Sequence, residues 1–244
     1  MGQQTMIMAR SLLYHGLYGI WAFLMCFAFL PSLILPFWAS DLISNFWSRS
    51  VFLLLRVICG LTYRIEGIEN ISDDPVIYAS KHQSVWDTLL FPLQIDRSAI
   101  VLKKELFLLP FFGWYAKKYG AIGIDRSAGA SAIRQMIKDA RRSVAADRPI
   151  VIFPEGTRMP PGEKGEYQSG VAALYKDLKI PVVPVALNSG VYWPKRKLIR
   201  RPGVITLRFL PPIPPSLPRK EFMERLESDI ETAQKEICDP NYLN

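Results

Sequence analysis

The longest unbroken pattern in the chain is apolar and lies near its start: no formally charged residue occurs from position 11 to 40, and residues 17–38 are almost wholly hydrophobic. A run of that length can cross the hydrocarbon core of a bilayer as a helix. Pro31 and Pro36 fall inside it, and a proline removes a helical hydrogen bond and kinks or ends the helix. The pattern predicts a helix that stops near Leu30 and turns back, a re-entrant hairpin in preference to a clean span. In residues 42–58, Asn45, Arg49 and Arg56 share one side of a helical projection, while Phe46, Trp47, Leu54, Leu55 and Ile58 spread elsewhere. Such a helix suits the headgroup plane of a membrane; an amphipathic helix packed on its own domain shows the same pattern.

Past Leu61 the pattern changes to short β-rich runs at 62–66, 75–80, 99–103, 121–124, 149–153, 180–187 and 204–210. Several are continuously apolar, as a sheet covered on both faces requires. Helical stripes lie between and after them. Ile133, Met136, Ile137, Ala140 and Val144 oppose Arg134, Lys138, Arg141 and Arg142, and a second stripe runs through Phe222, Leu226, Ile230, Ala233 and Ile237. A proline-rich stretch at 211–218 reads as a rigid connector into that last helix. The alternation predicts an α/β fold with a largely parallel central sheet flanked by helices. An N-terminal membrane-associated two-helix element at 1–60 precedes the domain at 61–244.

Composition agrees with this division. The chain has 244 residues, 50% of them hydrophobic, enough to bury a core and to exclude disorder as its main state. A mean hydropathy of +0.12 with 21% charged residues is too polar for a bundle of membrane spans, yet high for a soluble enzyme. The formal charge of +8 attracts polyanions: nucleic acid, anionic lipid headgroups or an acidic protein. Aromatic residues are not interleaved with cations in a recognisable module, which disfavours nucleic acid. Cys26, Cys59 and Cys238 are odd in number, widely spaced and without a Cys-x-x-Cys or Cys/His cluster. That pattern writes neither a disulfide framework nor a structural zinc site, and it fits a reducing compartment.

In a parallel sheet, ligands bind beyond the carboxyl ends of the strands, so those ends hold the candidate chemistry. After the run at 75–80 comes Lys81-His82-Gln83-Ser84-Val85-Trp86-Asp87-Thr88. The chain has 2 histidines, and His15 lies in the apolar N-terminal stretch, so imidazole chemistry falls to His82. Ser84 and Asp87 also read as an ordinary helix capping box. Residues five apart on one helix point about 140° apart, so His82 meets Asp87 only if the helix begins between them, where Ser84 would cap it. Asp87 can then fix the tautomer of His82 and leave the other ring nitrogen to take a proton from a substrate hydroxyl.

The run at 149–153 leads into Phe153-Pro154-Glu155-Gly156-Thr157-Arg158. Gly156 permits close backbone approach by a ligand, and Arg158 supplies a planar fork of donors suited to phosphate. Taken alone, the same six residues make a plain strand-to-loop turn. The run at 121–124 ends in Asp125-Arg126-Ser127, and the run at 99–103 in Lys103-Lys104-Glu105, each also explicable as a cap or a solvated charge run. Together these ends bring one base and several cations to one sheet edge, a site for an anionic, hydroxyl-bearing substrate.

The order His82-x-x-x-x-Asp87, then Gly120-Ala-Ile-Gly-Ile-Asp-Arg126, Phe153-Pro-Glu-Gly-Thr-Arg158 and Val183-Pro184-Val185 resembles the four blocks of the glycerolipid acyltransferases, among them the bacterial 1-acyl-sn-glycerol-3-phosphate acyltransferases. Gly123 stands where the second block is often bulky and apolar. The resemblance implies transfer of a fatty acyl group from acyl-CoA or acyl carrier protein to lysophosphatidic acid, giving phosphatidic acid, with no cofactor or metal. It implies His82 as general base and Asp87 as its orienting partner. Glu155, Gly156 and Thr157 would help place the acceptor, Arg126 and Arg158 would hold phosphate with Lys103 and Lys104 nearby, and Pro184 would shape a wall near the acyl chain. It also implies residence at the inner membrane, with the domain at 61–244 catalytic and on the cytoplasmic side. Other members act on different lyso-lipids, including lyso-ornithine lipids. A non-catalytic lipid-binding protein using the five cations within 195–201 would explain the charge but not His82 and Asp87.

Overall fold

Prolines fix where three of the strands begin. Pro75, Pro149 and Pro181 precede β2 (Ile77–Ser80), β5 (Ile150–Ile152) and β6 (Val182–Leu187). A proline has no N–H for the ladder but keeps its carbonyl, and the Pro149 and Pro181 carbonyls accept from Ala99 N at 2.8 Å and Ile77 N at 3.0 Å. The structure, a computed structural model, describes residues 2–238. With β1 (Leu61–Glu66), β3 (Ala99–Lys103), β4 (Ile122–Ile124) and β7 (Gly203–Phe209), these strands form a 7-stranded sheet in the order β1-β7-β6-β2-β5-β3-β4. All neighbours are parallel except β6 and β7, so β1 and β7 run against the rest. The carboxyl ends of β2 through β6 consequently share one edge.

The sheet is covered on both sides, which is why its strands read as continuous apolar runs. Val76, Tyr78, Val151, Val183 and Val185 point to one face, beneath α2 (Phe37–Leu54) and α3 (Trp86–Gln94). Ile77, Ala79, Ile150, Ile152 and Val182 point to the other, beneath α5 (Gly129–Val144), α6 (Ser169–Leu178) and α8 (Arg219–Ile237). On α8 every residue of the expected stripe is buried. The chain therefore leaves β2 toward one face and the neighbouring β5 toward the other, the divergence that opens a crevice at a switch point of an α/β sheet.

At the N-terminus α1 (Gly2–Ala28) ends before Pro31, a 3-10 turn follows at Leu30–Leu33, and α2 starts directly after Pro36. The two helices lie side by side, with Trp21 Nε1 donating to Ser50 Oγ at 2.7 Å. α1 is fastened to the domain at two levels: Arg200 N donates to Ser11 Oγ at 2.8 Å, and the hydroxyl of Tyr115, on α4 (Phe112–Tyr119), donates to the Cys26 carbonyl at 2.9 Å. Attachments 15 residues apart span about 22 Å of helix, so the hairpin lies along the domain. Its outward side stays apolar, with Leu13, Ile20, Phe23, Ile34, Trp38 and Leu42 exposed. Gly2–Ala28 and Phe37–Cys59 are each long and apolar enough to cross a membrane.

Candidate active site

The helix break between His82 and Asp87 is present: α3 begins at Trp86, so Asp87 occupies its first turn while His82 stays in the preceding loop. His82 Nδ1 lies 2.9 Å from Asp87 Oδ2. The capping box is made by the same carboxylate. Ser84 N donates to Asp87 Oδ2 at 2.9 Å, Trp86 N donates to Ser84 Oγ at 3.1 Å, and Gln83 N adds a bond to Oδ2 at 2.7 Å. Asp87 Oδ1 receives the hydroxyls of Ser84 at 3.1 Å and Ser189 at 2.5 Å. Asp87 is fully buried, and a buried carboxylate is tolerated only when donors replace its water. Here they also hold it where it orients the imidazole.

With Nδ1 turned to Asp87, Nε2 is the nitrogen left for a substrate proton. The His82 ring stacks on Phe153, centroids 4.1 Å apart at 23°, and its side chain keeps 16% exposure. Phe153 belongs to the β5 exit, so the two diverging strands support the base together. They are clasped again by Met159 N, which donates to the His82 carbonyl at 2.8 Å.

Beyond Phe153 the chain turns sharply, with Gly156 at φ 64° and its N–H on the Phe153 carbonyl at 2.8 Å. Thr157 is exposed and Arg158 half-buried. Lys195 Nζ bonds the Arg158 carbonyl at 2.8 Å and approaches Thr157 Oγ1 at 3.4 Å, which brings one cation of the basic run at 195–201 to this edge. Lys103 and Lys104 project into solvent at the end of β3, Lys104 Nζ 3.7 Å from Asp125 Oδ2. Arg126 opens the turn Arg126–Ala128 beside them, and its side chain lies outside the described part of the structure. The exits of β2, β3, β4 and β5 thus share an edge that carries one base and several cations.

Three of the expected residues lie buried. The Glu155 side chain is 1% exposed, its Oε1 accepts from Lys81 Nζ at 2.7 Å and Gly165 N at 2.9 Å, and its buried Oε2 has no partner among the described residues. Burial turns it into a support for the loop, because an unpaired carboxylate there would be costly. Pro184 lies within β6 opposite Ala79, buried, and its carbonyl accepts from Leu210 N at 2.9 Å. Its nitrogen faces the irregular stretch where Leu210–Pro212 carries one residue more than the β6 segment it opposes between the Val185–Phe209 and Val182–Ile213 pairs, so the missing donor costs the sheet nothing. Arg200, within the basic run, is buried, stacked 4.1 Å over Trp193 and bonded to the Lys197 and Ile199 carbonyls. Burial lowers its pKa to about 10, and it fastens α1 instead of greeting headgroups.

Sequence reasoning missed Lys81, Glu231 and Ser189. Lys81 is wholly buried and bonds Glu155 Oε1, Glu231 Oε1 on α8, at 2.7 Å each, and the Glu163 carbonyl at 3.2 Å. Tyr167 donates to Glu231 at 3.1 Å; burial and the adjacent Glu231 and Glu155 push its phenol pKa up, so it remains a donor. Ser189 begins α7 (Ser189–Tyr192) at the exit of β6, and nothing in its local sequence marks it as a partner of Asp87.

These features place the chain in a class. It belongs to the acyltransferase family: residues 62–188 match the family described as Acyltransferase. A 1-acyl-sn-glycerol-3-phosphate acyltransferase of Pseudomonas aeruginosa is 37% identical over 198 residues, covering 80% of this chain and 77% of that protein. One from Saccharomyces cerevisiae is 28% identical over 246 residues, 96% of this chain and 77% of that protein. The crystal structure of the 1-acyl-sn-glycerophosphate (LPA) acyltransferase, PlsC, from Thermotoga maritima shares the fold with a TM-score of 0.76, covering 95% of each chain at 21% identity.

Proposed function

We propose that the protein transfers a fatty acyl group from acyl-CoA or acyl carrier protein to the sn-2 hydroxyl of lysophosphatidic acid, forming phosphatidic acid. The observation that carries this reading is His82, oriented through Nδ1 by buried Asp87 and presenting Nε2 at an edge that also bears Lys104 and Arg158. As the acceptor oxygen attacks the thioester carbonyl carbon, its proton passes to His82 Nε2. The tetrahedral intermediate collapses, the carbon–sulfur bond breaks, and the departing thiolate recovers the proton from His82. No covalent enzyme intermediate is needed. A positioned base of this kind contributes about 10²–10⁴ in rate.

Lys103, Lys104, Arg126, Arg158 and Lys195 hold the acceptor phosphate, with Gly156 and Thr157 in the turn that leads to Arg158. The apolar hairpin of α1 and α2 sits in the lipid leaflet, at the inner membrane with the catalytic edge on the cytoplasmic side. The apolar outward face of the hairpin supports its place in lipid, and three widely spaced cysteines without a pairing pattern fit the cytoplasmic side. The test offers the purified protein a panel of lyso-lipid acceptors with each donor. Lysophosphatidic acid should be acylated in preference to phosphate-free acceptors, and exclusive use of a lyso-ornithine lipid would overturn the roles given to the cations.

A further inference from the structure

Between β3 and β4 the chain forms a second apolar projection that the acyl-transfer chemistry leaves unused. After the 3-10 turn Lys104–Leu108 it passes Leu109, Pro110 and Phe111 into α4. Leu108 is 83% exposed, and Leu109, Phe112 and Trp114 are also exposed. The tip is held in a strained shape. Phe111 has φ 62° and ψ −64°, and Phe112 N donates to the Pro110 carbonyl at 2.7 Å, a γ-turn at a bulky residue. Such strain persists where surrounding structure over-determines it and marks functional positions.

The surroundings are visible. A Cβ on Gly113 would stand 2.1 Å from the Phe107 carbonyl oxygen, and one on Gly123 would stand 2.6 Å from the Phe107 ring. Gly113 lets α4 close on the 3-10 turn, Gly123 lets the turn seat against β4, and Phe107 fills the space that a bulky residue at 123 would take. The Phe111 ring packs 5.0 Å from Phe27 at the end of α1. The projection therefore continues the apolar face of the hairpin, and it leaves the sheet at the same edge as His82. Lys103 and Lys104 precede it, and Lys117 and Lys118 follow.

We propose that this projection is a third membrane-inserting element. Leu108, Leu109, Phe112 and Trp114 enter the acyl region, Lys117 and Lys118 meet anionic headgroups, and the depth of insertion sets the height of the His82 edge above the leaflet. Apolar and aromatic side chains bounded by cations suit a lipid surface. A second copy of the chain fits worse, because self-complementary pairing would set lysines against lysines. The inference rests on the reading that the hairpin sits in lipid.

The test places a single environment-sensitive fluorophore at Leu108→Cys, in the full chain with Cys26, Cys59 and Cys238 replaced by alanine. The control is Ile68→Cys, exposed and at the opposite edge of the sheet. With vesicles of about one-third phosphatidylglycerol in phosphatidylcholine, the label at 108 should become protected from an aqueous quencher while that at 68 stays accessible. Without any cysteine change, brominated acyl chains should quench the wild type more than Trp114→Phe. Equal quencher access at 108 and 68 overturns the proposal, as does protection at 108 that appears without vesicles and tracks dimer formation. Leu108→Glu with Phe112→Glu should lower turnover of a vesicle-borne acceptor about tenfold or more and spare a short-chain monomeric acceptor. A chain that inserts at 108 but transfers no acyl group contradicts only the enzymatic reading; one that transfers with 108 in water contradicts only the insertion.

Discussion

Lys81 Nζ lies 2.7 Å from Glu155 Oε1 with both side chains shut away from solvent. This ion pair joins the segment carrying the proposed base to the segment carrying Arg158, and through Glu231 it joins both to α8. Lys81→Met would leave the carboxylates buried without their cation, which costs about 3–5 kcal/mol when one partner of a buried pair is removed. Denaturant unfolding should show that loss. Glu231→Gln, which leaves the Lys81–Glu155 bond in place, should lose distinctly less.

Asp87 serves both the helix cap and His82. Asp87→Asn preserves shape but can set an amide NH₂ against the N–H groups of Gln83 and Ser84, so turnover should fall about 10²–10⁴-fold. Ser189→Ala removes the hydroxyl bond to Oδ1 and should cost about 1.5–3 kcal/mol of stability with a smaller loss of turnover. Steady-state rates beside thermal unfolding of both variants separate the two effects.

Gly123→Val drives a side chain into the Phe107 ring, and overpacking of this kind costs about 1–3 kcal/mol. The penalty should shrink in a Phe107→Ala background. A double-mutant cycle measures the coupling, and additive losses would show that the ring is not what excludes larger residues at 123.

Much of this arrangement was legible in the chain. All seven predicted strands are present, because a sheet buried on both faces leaves continuous apolar runs and Pro75, Pro149 and Pro181 punctuate them. The His82–Asp87 pairing was legible too, since only a helix starting between them lets residues five apart meet. Burial was not. Glu155 looks like a ligand and Lys81 like a solvated charge in sequence, and only the packing of α8 against the loops turns them inward together. Arg200 belongs to a basic run by composition, yet it is sealed under α1 by a contact with Ser11, 189 residues away. The projection at 108–114 has no mark of its own in the sequence, because no periodicity distinguishes a buried apolar stretch from an exposed one.

Attachment to the membrane should be apolar in origin. At about 1 M salt the Debye length falls to about 3 Å, so surface charge alone no longer holds a protein to lipid. The protein should remain in the membrane pellet under that wash and leave it with detergent. Release by salt alone would show that the hairpin's exposed face does not enter lipid.

In the proposed reaction the His82 imidazole removes the acceptor's proton, and its loss should abolish transfer. Purified His82→Ala, checked for an unchanged fold by circular dichroism and unfolding, should be assayed with an acyl thioester and lysophosphatidic acid beside the wild type. Near-complete loss of phosphatidic acid formation in a folded variant is the expected result. A folded His82→Ala protein turning over at the wild-type rate would contradict the account.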